Sequence, residues 1–87
     1  MPRILPRTAS SISDAEIEEV ILADLALPHS GEHTNRSLRE TVALVLQSPN
    51  LQTRRVARIA WDLAQRGLIR VREIPGDYGF TLVRFFR

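Results

Sequence analysis

The sequence predicts a mainly helical α+β domain in which three helices precede a C-terminal β-hairpin. Three observations lead to this class. Ser13 and Ser37 are each followed, three residues later, by a glutamate, which is the pattern of a capping box at a helix start. Residues 56–63 carry an apolar stripe at helical spacing. After Gly67 the chain becomes rich in Ile, Val, Phe and Thr, which favour strands.

The composition is that of one small globular domain. The chain has 87 residues, of which 44% are hydrophobic and 25% are charged. No apolar run approaches the roughly 20 residues that cross a bilayer, and the first residues lack the apolar stretch of a secretory signal. We therefore expect a cytoplasmic protein with no membrane partner. The absence of cysteine excludes disulfides and thiolate metal sites.

All 12 basic residues are arginine, and the formal net charge is +2. Two explanations for the absence of lysine stay open. One is a GC-rich coding sequence, and the other is the ability of guanidinium groups to make bidentate contacts with phosphate and guanine. Because the net charge is modest, the placement of the charges matters more than their sum.

The chain divides into an arm and a domain. Residues 1–12 carry prolines, arginines and small polar residues, and we interpret them as a flexible or loosely docked N-terminal arm. The domain spans residues 13–87. Its first helix is expected to end near Leu27, because Pro28 disfavours helical geometry in the residue before it. The apolar residues expected on its buried side are Ile17, Val20, Ile21 and Leu25.

The second helix is expected to begin at a cap formed by Ser37. The residues expected on its buried side are Leu38, Val42, Val45 and Leu46. A third helix is predicted over residues 52–66. Strands are predicted over residues 68–74 and 79–86, with turn chemistry in residues 75–79 between them.

The junction between the third helix and the hairpin carries a recognisable pattern. Residues 63–69 read Leu-Ala-Gln-Arg-Gly-Leu-Ile. The leucine closes the core, the glycine permits a left-handed turn, and the last two apolar residues begin a strand beneath the helix. With the order of elements, this pattern resembles the winged helix-turn-helix family of DNA-binding domains over residues 13–87.

The resemblance implies that residues 52–66 read the major groove of double-stranded DNA and that residues 68–87 contact the backbone as a wing. Arginine suits this surface because its fork matches guanine or neighbouring phosphate oxygens. The expected DNA-binding residues are Gln52, Thr53, Arg54, Arg55, Arg58, Arg70 and Arg72, with Arg84 as a further candidate. The other interpretation is an ordinary solvated helix face and a strand edge whose charges discourage pairing. The expected role is that of a transcription regulator.

Charges elsewhere complete the hypothesis. The acidic residues expected to lie away from DNA are Asp14, Glu16, Glu18, Glu19 and Glu40. They would make one side of the molecule acidic and the other basic, which reconciles a small net charge with nucleic-acid binding. Asp62, four residues after Arg58, is expected to pair with it. Arg3 and Arg7 in the arm either enter a minor groove or belong to a disordered tail.

The aromatic residues leave two interpretations open. Trp61 lies off the core stripe, and Phe85 and Phe86 point to opposite faces because they are adjacent in a strand. They form either a satellite of the core covered by Ile4 and Leu5, or a homodimer surface. We expect some self-association, and hence a homodimer.

No catalytic, metal or cofactor site is evident in the sequence. His29 and His33 flank Glu32, but Pro28 and Gly31 argue against a helix that would align them. No glycine-rich phosphate loop and no local signature of a nucleophilic triad are present. We therefore expect no enzymatic activity and no cofactor. The alternative function is a winged-helix protein–protein interaction module without DNA binding, and a third is a small factor that blocks a host enzyme.

Overall fold

A computed structural model describes residues 7–28, 31–76 and 81–87 of the chain. Its elements are α1 (Asp14–Leu25), α2 (Asn35–Val45), α3 (Thr53–Gln65), β1 (Arg70–Pro75) and β2 (Thr81–Phe86). The predicted class is confirmed: three helices precede an antiparallel hairpin, in an order compatible with a winged-helix layout. Within the described ranges, no helix is both long enough and apolar enough to span a bilayer.

α1 begins at the predicted cap. The Ser13 hydroxyl accepts a hydrogen bond from the Glu16 amide at 3.1 Å, and the Glu16 carboxylate accepts one from the Ser13 amide at 2.9 Å. The helix ends at Leu25, earlier than predicted, and Leu27 is exposed. The amide of Ala26 contacts the carbonyls of both Leu22 and Asp24, so the last turn tightens before the proline is reached.

α2 begins earlier than predicted, and the prediction that Ser37 is its cap is wrong. Thr34 is the cap, because its hydroxyl accepts a hydrogen bond from the Ser37 amide at 2.9 Å. The Ser37 hydroxyl in turn accepts one from the Thr34 amide at 2.9 Å. Ser37 therefore fills the third helical position, where a capping box usually has glutamate. Glu40 instead lies on the surface, 3.5 Å from Arg36.

Burial on α2 agrees with the predicted side except at one residue. Leu38 and Val42 are fully buried as expected, and Ala43 is buried with them. The prediction that Val45 is buried is wrong, since it is 59% exposed. The buried stripe continues from Val42 to the half-buried Leu46, and Val45 lies on the opposite side of that stripe from Ala43.

The turn between α2 and α3 is held by an arginine. Arg39 donates from Nε to the carbonyl of Leu51 at 2.7 Å and from its terminal nitrogen to the carbonyl of Pro49. Leu51 is buried, and Gln47 takes a φ of 54°, a left-handed conformation that bends the chain out of α2. These contacts fix the start of α3 relative to α2.

α3 confirms the predicted core stripe. The buried residues of this helix are Val56, Ile59, Ala60 and Leu63. Its bounds lie within the predicted range of residues 52–66. Gly67 has a φ of 76°, and the Leu68 amide then donates to the carbonyl of Leu63, so the predicted left-handed turn ends the helix.

The hairpin completes the core. β1 and β2 pair from Arg70 and Phe86 at the base to Pro75 and Thr81 at the far end. Of the turn predicted over residues 75–79, residues 77–79 lie outside the described ranges. Phe85 is fully buried, whereas the adjacent Phe86 is half-buried on the other face. Trp61 meets Phe85 edge to face with ring centroids 5.9 Å apart, so it packs against the core.

One histidine joins the hairpin to the helices. His33 and Phe85 exchange backbone hydrogen bonds of 2.8 and 2.7 Å, which adds a one-residue bridge to β2. The His33 ring lies 2.9 Å from the Asp24 carboxylate and 3.2 Å from the Ser37 hydroxyl. This residue therefore contacts α1, α2 and β2 at once.

The second half of the predicted arm, residues 7–12, packs on the helices. The Arg7 amide donates to the carbonyl of Gln47 at 2.8 Å, and Ile12 is buried at 3% exposure. A turn of 3-10 helix, Ala9–Ser11, lies between them. The expectations for Arg3, Ile4 and Leu5 concern residues outside the described ranges.

Glu16 links this segment to the cap of α1. Its carboxylate accepts hydrogen bonds from the Ser13 amide and from Arg7, the latter at 2.9 Å. The Ser13 amide first, and then Arg7, hold the pKa of Glu16 below its ordinary value. A carboxylate whose pKa is lowered by folding stabilises the fold above its unfolded pKa, and that contribution is lost as the pH falls through the lowered value.

We expect Glu16→Gln to lower the free energy of unfolding at neutral pH. The difference from the parent should begin to shrink below about pH 4.3, the ordinary pKa of a glutamate, and should go on shrinking as the pH falls towards the lowered pKa, because the unfolded chain then binds a proton that the folded chain still lacks. Urea unfolding followed by circular dichroism at several pH values measures this. Glu19→Gln is the matched control, because Glu19 is exposed and pairs with no described residue. A Glu16→Gln difference that is unchanged at pH 3 would contradict the assignment.

Candidate nucleic-acid interface

The first turn of α3 presents polar side chains to solvent. Gln52, Thr53 and Arg54 are all exposed. Gln52 occupies the cap position without a side-chain hydrogen bond to the helix, so no side-chain cap occupies the first amides of α3. Such amides are able to donate to an anion. Among the residues that the structure describes, none accepts a hydrogen bond from the Arg54 side chain.

Arg58 lies one turn further along the same side of α3, and its side chain is 70% exposed. The prediction that it pairs with Asp62 is wrong. Arg58 lies 3.8 Å from Asp14 on α1, while Asp62 lies 3.2 Å from Arg66. A contact of 3.8 Å is a loose ion pair, so most of the Arg58 guanidinium remains available to a ligand.

Arg55 occupies a different environment from its neighbours. Its side chain is only 23% exposed, and its guanidinium lies 2.9 Å from the Asp14 carboxylate. It also donates to the carbonyl of Ala9 at 2.8 Å and to the carbonyl of Ile12. These protein acceptors take its donors, and we therefore assign Arg55 to the packing of α3 on α1 and leave it out of the ligand-facing set.

The expected separation into an acidic and a basic side is wrong around α3. Asp14 contacts two arginines of this helix, and Glu18 lies 2.9 Å from Arg66. Hydrogen bonds to Glu18 and then to Asp62 raise the pKa of Arg66. Asp14 and Glu18 of α1 therefore lie beside α3, because the two helices pack together. The basic surface is reduced to the N-terminal half of α3.

Two arginines of α2 that were not among the predicted site residues also lie near this surface. Arg36, with a side chain 87% exposed, and Arg39 line a shallow concavity together with the first residues of α3. Arg39 donates its hydrogen bonds to the turn between the helices. Arg36 has only a 3.5 Å contact with Glu40. Recognising Thr34 as the cap would have placed Arg36 in the first turn of α2.

The hairpin presents a second basic surface. Arg70 and Arg72 are exposed on the outward face of β1, with the alternate residues turned to the core as predicted. Arg84 stands opposite Arg72 in the strand register and is half-buried. Like charges opposite each other destabilise a strand pair. Glu32 from the loop before α2 offsets this, since its carboxylate binds Arg72.

His33 connects the hairpin to the helices. Its ring lies against Asp24 and Ser37, and its backbone bridges to Phe85. In the part of the chain that the structure describes, no group of three or more histidine or carboxylate side chains is able to hold a metal ion. His29 lies outside the described ranges.

No family model, curated protein or solved structure matches this chain. The resemblance to the winged-helix family therefore rests on the order of elements and on the pattern of residues 63–69. The exposed arginines lie on the surface formed by α3, the start of α2 and the hairpin.

We expect Arg55→Ala to lower the free energy of unfolding by about 1–3 kcal/mol, because it leaves partly buried carbonyls without donors. Arg54→Ala is the matched control, since the adjacent exposed arginine has no described partner and should change stability by less than about 0.5 kcal/mol. Urea unfolding followed by circular dichroism compares the two variants. Equal effects would show that Arg55 does not hold α3 on α1.

Proposed function

We propose that this chain binds double-stranded DNA, with α3 in the major groove and the hairpin against the backbone, and that it acts as a transcription regulator. One observation carries the proposal. Arg54 and Arg58 are exposed on one side of α3, while the opposite side of the same helix is buried in the core. A rigid helix thus presents guanidinium groups outward at a spacing of one turn.

The geometry of α3 suits a duplex. An α-helix with its side chains is about 10–12 Å across, which matches the roughly 12 Å width of the major groove. Arg54 and Arg58 supply forked donors for guanine edges or phosphates. Gln52 and Thr53 add donors at the helix start, where the free amides favour a phosphate.

Asp14 tunes Arg58. The carboxylate lies 2.9 Å from Arg55 and 3.8 Å from Arg58, so it places a negative charge beside the exposed Arg58 guanidinium. A negative charge beside the interface also weakens attraction to phosphate in general. Together these effects favour a ligand that offers base contacts as well as charge, which supports sequence reading over non-specific binding.

The hairpin supplies backbone contacts. Arg70 has an exposed side chain on β1, and Arg72 is 54% exposed even with Glu32 bound to it. Arg84 lies opposite on β2. Contacts of this kind position the protein on DNA without reading sequence, so substitutions here should weaken binding to all duplexes alike.

A protein-interaction module is the alternative. The exposed apolar side chains Leu44 and Leu82, at 80% and 46%, favour it over a surface devoted to DNA alone. Salt distinguishes the two functions. DNA binding weakens steeply as salt rises because counterions are released, whereas a module that binds no duplex at low salt belongs to the alternative.

Selection of bound duplexes from a random pool at physiological salt tests the proposal. We expect enrichment of one sequence, and a palindrome would indicate a homodimer on two half-sites. On the enriched duplex, Arg54→Ala and Arg58→Ala should each cost about 1–3 kcal/mol, or about 5- to 150-fold in Kd by fluorescence anisotropy.

Arg87→Ala is the matched control for these variants. It removes the same charge at an exposed residue whose side chain contacts the carbonyl of Ala26 at the end of α1. Its effect on Kd should be several-fold smaller. Unchanged affinity in both Arg54→Ala and Arg58→Ala, or equal losses in all three variants, would overturn the role of α3.

A further inference from the structure

The outward side of α3 extends beyond its exposed arginines. Arg54, Arg58, Trp61 and Gln65 follow one another at intervals of four, three and four residues, which places them in one row along the helix. Arg54, Arg58 and Gln65 are exposed, and Trp61 is half-buried. The row is therefore basic in its first half and uncharged in its second half.

Trp61 has a fixed orientation in this row. Its ring meets Phe85 edge to face with centroids 5.9 Å apart, and it packs against the core. Because Phe85 is inaccessible to solvent, the accessible part of Trp61 lies on the side turned away from the core. A held apolar surface thus lies one turn beyond Arg58.

Gln65 lies one turn further on, in the last turn of α3. Its side chain is exposed, and in the described part of the chain no residue exchanges a hydrogen bond with its amide group. The neighbouring charges compensate each other, since Asp62 lies 3.2 Å from Arg66. Gln65 therefore offers an acceptor and two donors in surroundings without an unpaired charge.

The uncharged half of the row matches base edges better than phosphates. Attraction to phosphate depends on Lys and Arg, which displace counterions from DNA. In the major groove, by contrast, a glutamine amide matches N6 and N7 of adenine, and an apolar side chain contacts the methyl group of thymine. Gln65 and Trp61 supply these two chemistries side by side, and together they match an A·T base pair.

The length of the row fits one half-site. α3 advances roughly 16 Å between Arg54 and Gln65, and base pairs follow one another about every 3.4 Å. The row therefore spans roughly five base pairs. Its arginines match guanine or phosphate at one end, and its uncharged residues face the other end.

We propose that Trp61 and Gln65 read an A·T base pair, with the Gln65 amide on adenine and Trp61 against the thymine methyl. The inference rests on the proposed DNA binding and names the base chemistry that the site selects. Trp61 and Gln65 supply specificity without charge, whereas Arg54 and Arg58 supply the salt-dependent part of the affinity.

Base analogues test each contact through one group of the DNA. On the duplex enriched by selection, deoxyuridine in place of thymidine removes only the methyl group, and 7-deaza-adenine removes only the N7 acceptor. We expect one A·T position at which the first change raises Kd about 3- to 4-fold and the second about 2- to 10-fold, by fluorescence anisotropy. A selected site without A·T, or insensitivity at every A·T position, would overturn the inference.

Gln65→Ala assigns the adenine contact. The effect of 7-deaza-adenine should disappear in this variant, because the amide that pairs with N7 is gone. Gln47→Ala is the matched control, since Gln47 is exposed, lies outside α3 and loses the same side chain. It should keep the full effect. Persistence of the effect in Gln65→Ala, or its loss in both variants, would contradict the assignment.

The fluorescence of Trp61 tests the thymine contact without any substitution in the core. Trp61 is the only tryptophan of the chain, so the emission reports on this residue alone. We expect the selected duplex to reduce acrylamide quenching, and a saturating duplex of scrambled sequence to leave quenching close to that of the unbound protein. Equal protection by both duplexes, or by neither, would remove Trp61 from the reading row.

The dependence of Kd on salt separates this inference from the proposed function. Arg54→Ala should reduce the slope of log Kd against log salt, by about 1 if Arg54 holds a phosphate, whereas Gln65→Ala should leave the slope of the parent unchanged. If no duplex binds at low salt, the proposed function fails and this inference fails with it. If binding depends on Arg54 but no base analogue has an effect, only this inference fails.

Discussion

The orientation of α3 depends on the burial of its apolar stripe. Val56, Ala60 and Leu63 are inaccessible to solvent within the cluster shared with α1 and α2. Fully burying a side chain such as Val or Leu contributes about 1.5–3 kcal/mol, a large share of the roughly 5–15 kcal/mol that holds a domain folded. On a helix, burial of one side forces the other outward. The exposure of Arg54 and Arg58 is thus a geometric consequence of the core.

Local signals were sufficient for most of the fold but not for the start of α2. The left-handed turn at Gly67 depends only on residues nearby in sequence. At α2, Thr34 and Ser37 are both residues that cap helices, but only Ser37 is followed three residues later by a glutamate, so the usual capping pattern favours Ser37. The backbone bridge between His33 and Phe85 decides between them, because it holds the chain extended up to Thr34. That contact joins residues more than fifty positions apart, and periodicity carries no information about it.

The candidate site was also predictable only in part from the sequence. The exposure of Arg54 and Arg58 follows from helical spacing alone. Arg55 differs because its acceptors lie far away in sequence, 41 residues at Asp14 and 46 at Ala9. Only the packing of α3 against the segment before α1 reveals that Arg55 is held by protein acceptors. The same packing brings Asp14 to the edge of the basic surface, where sequence reasoning expected only positive charge.

The hairpin is held against the helices at its base and is less constrained at its far end. His33 is hydrogen-bonded to β2 at Phe85, next to the base. At the far end of the described strands Pro75 lies opposite Thr81, and no described residue makes a comparable backbone bridge there. Val83 still packs against the core, and the two residues of strand beyond it span about 7 Å, so a tilt of about 10° there would move the far end by roughly 1 Å. The outer part of the hairpin can therefore adjust to the curvature of a surface while the buried Phe85 and its neighbours stay in place.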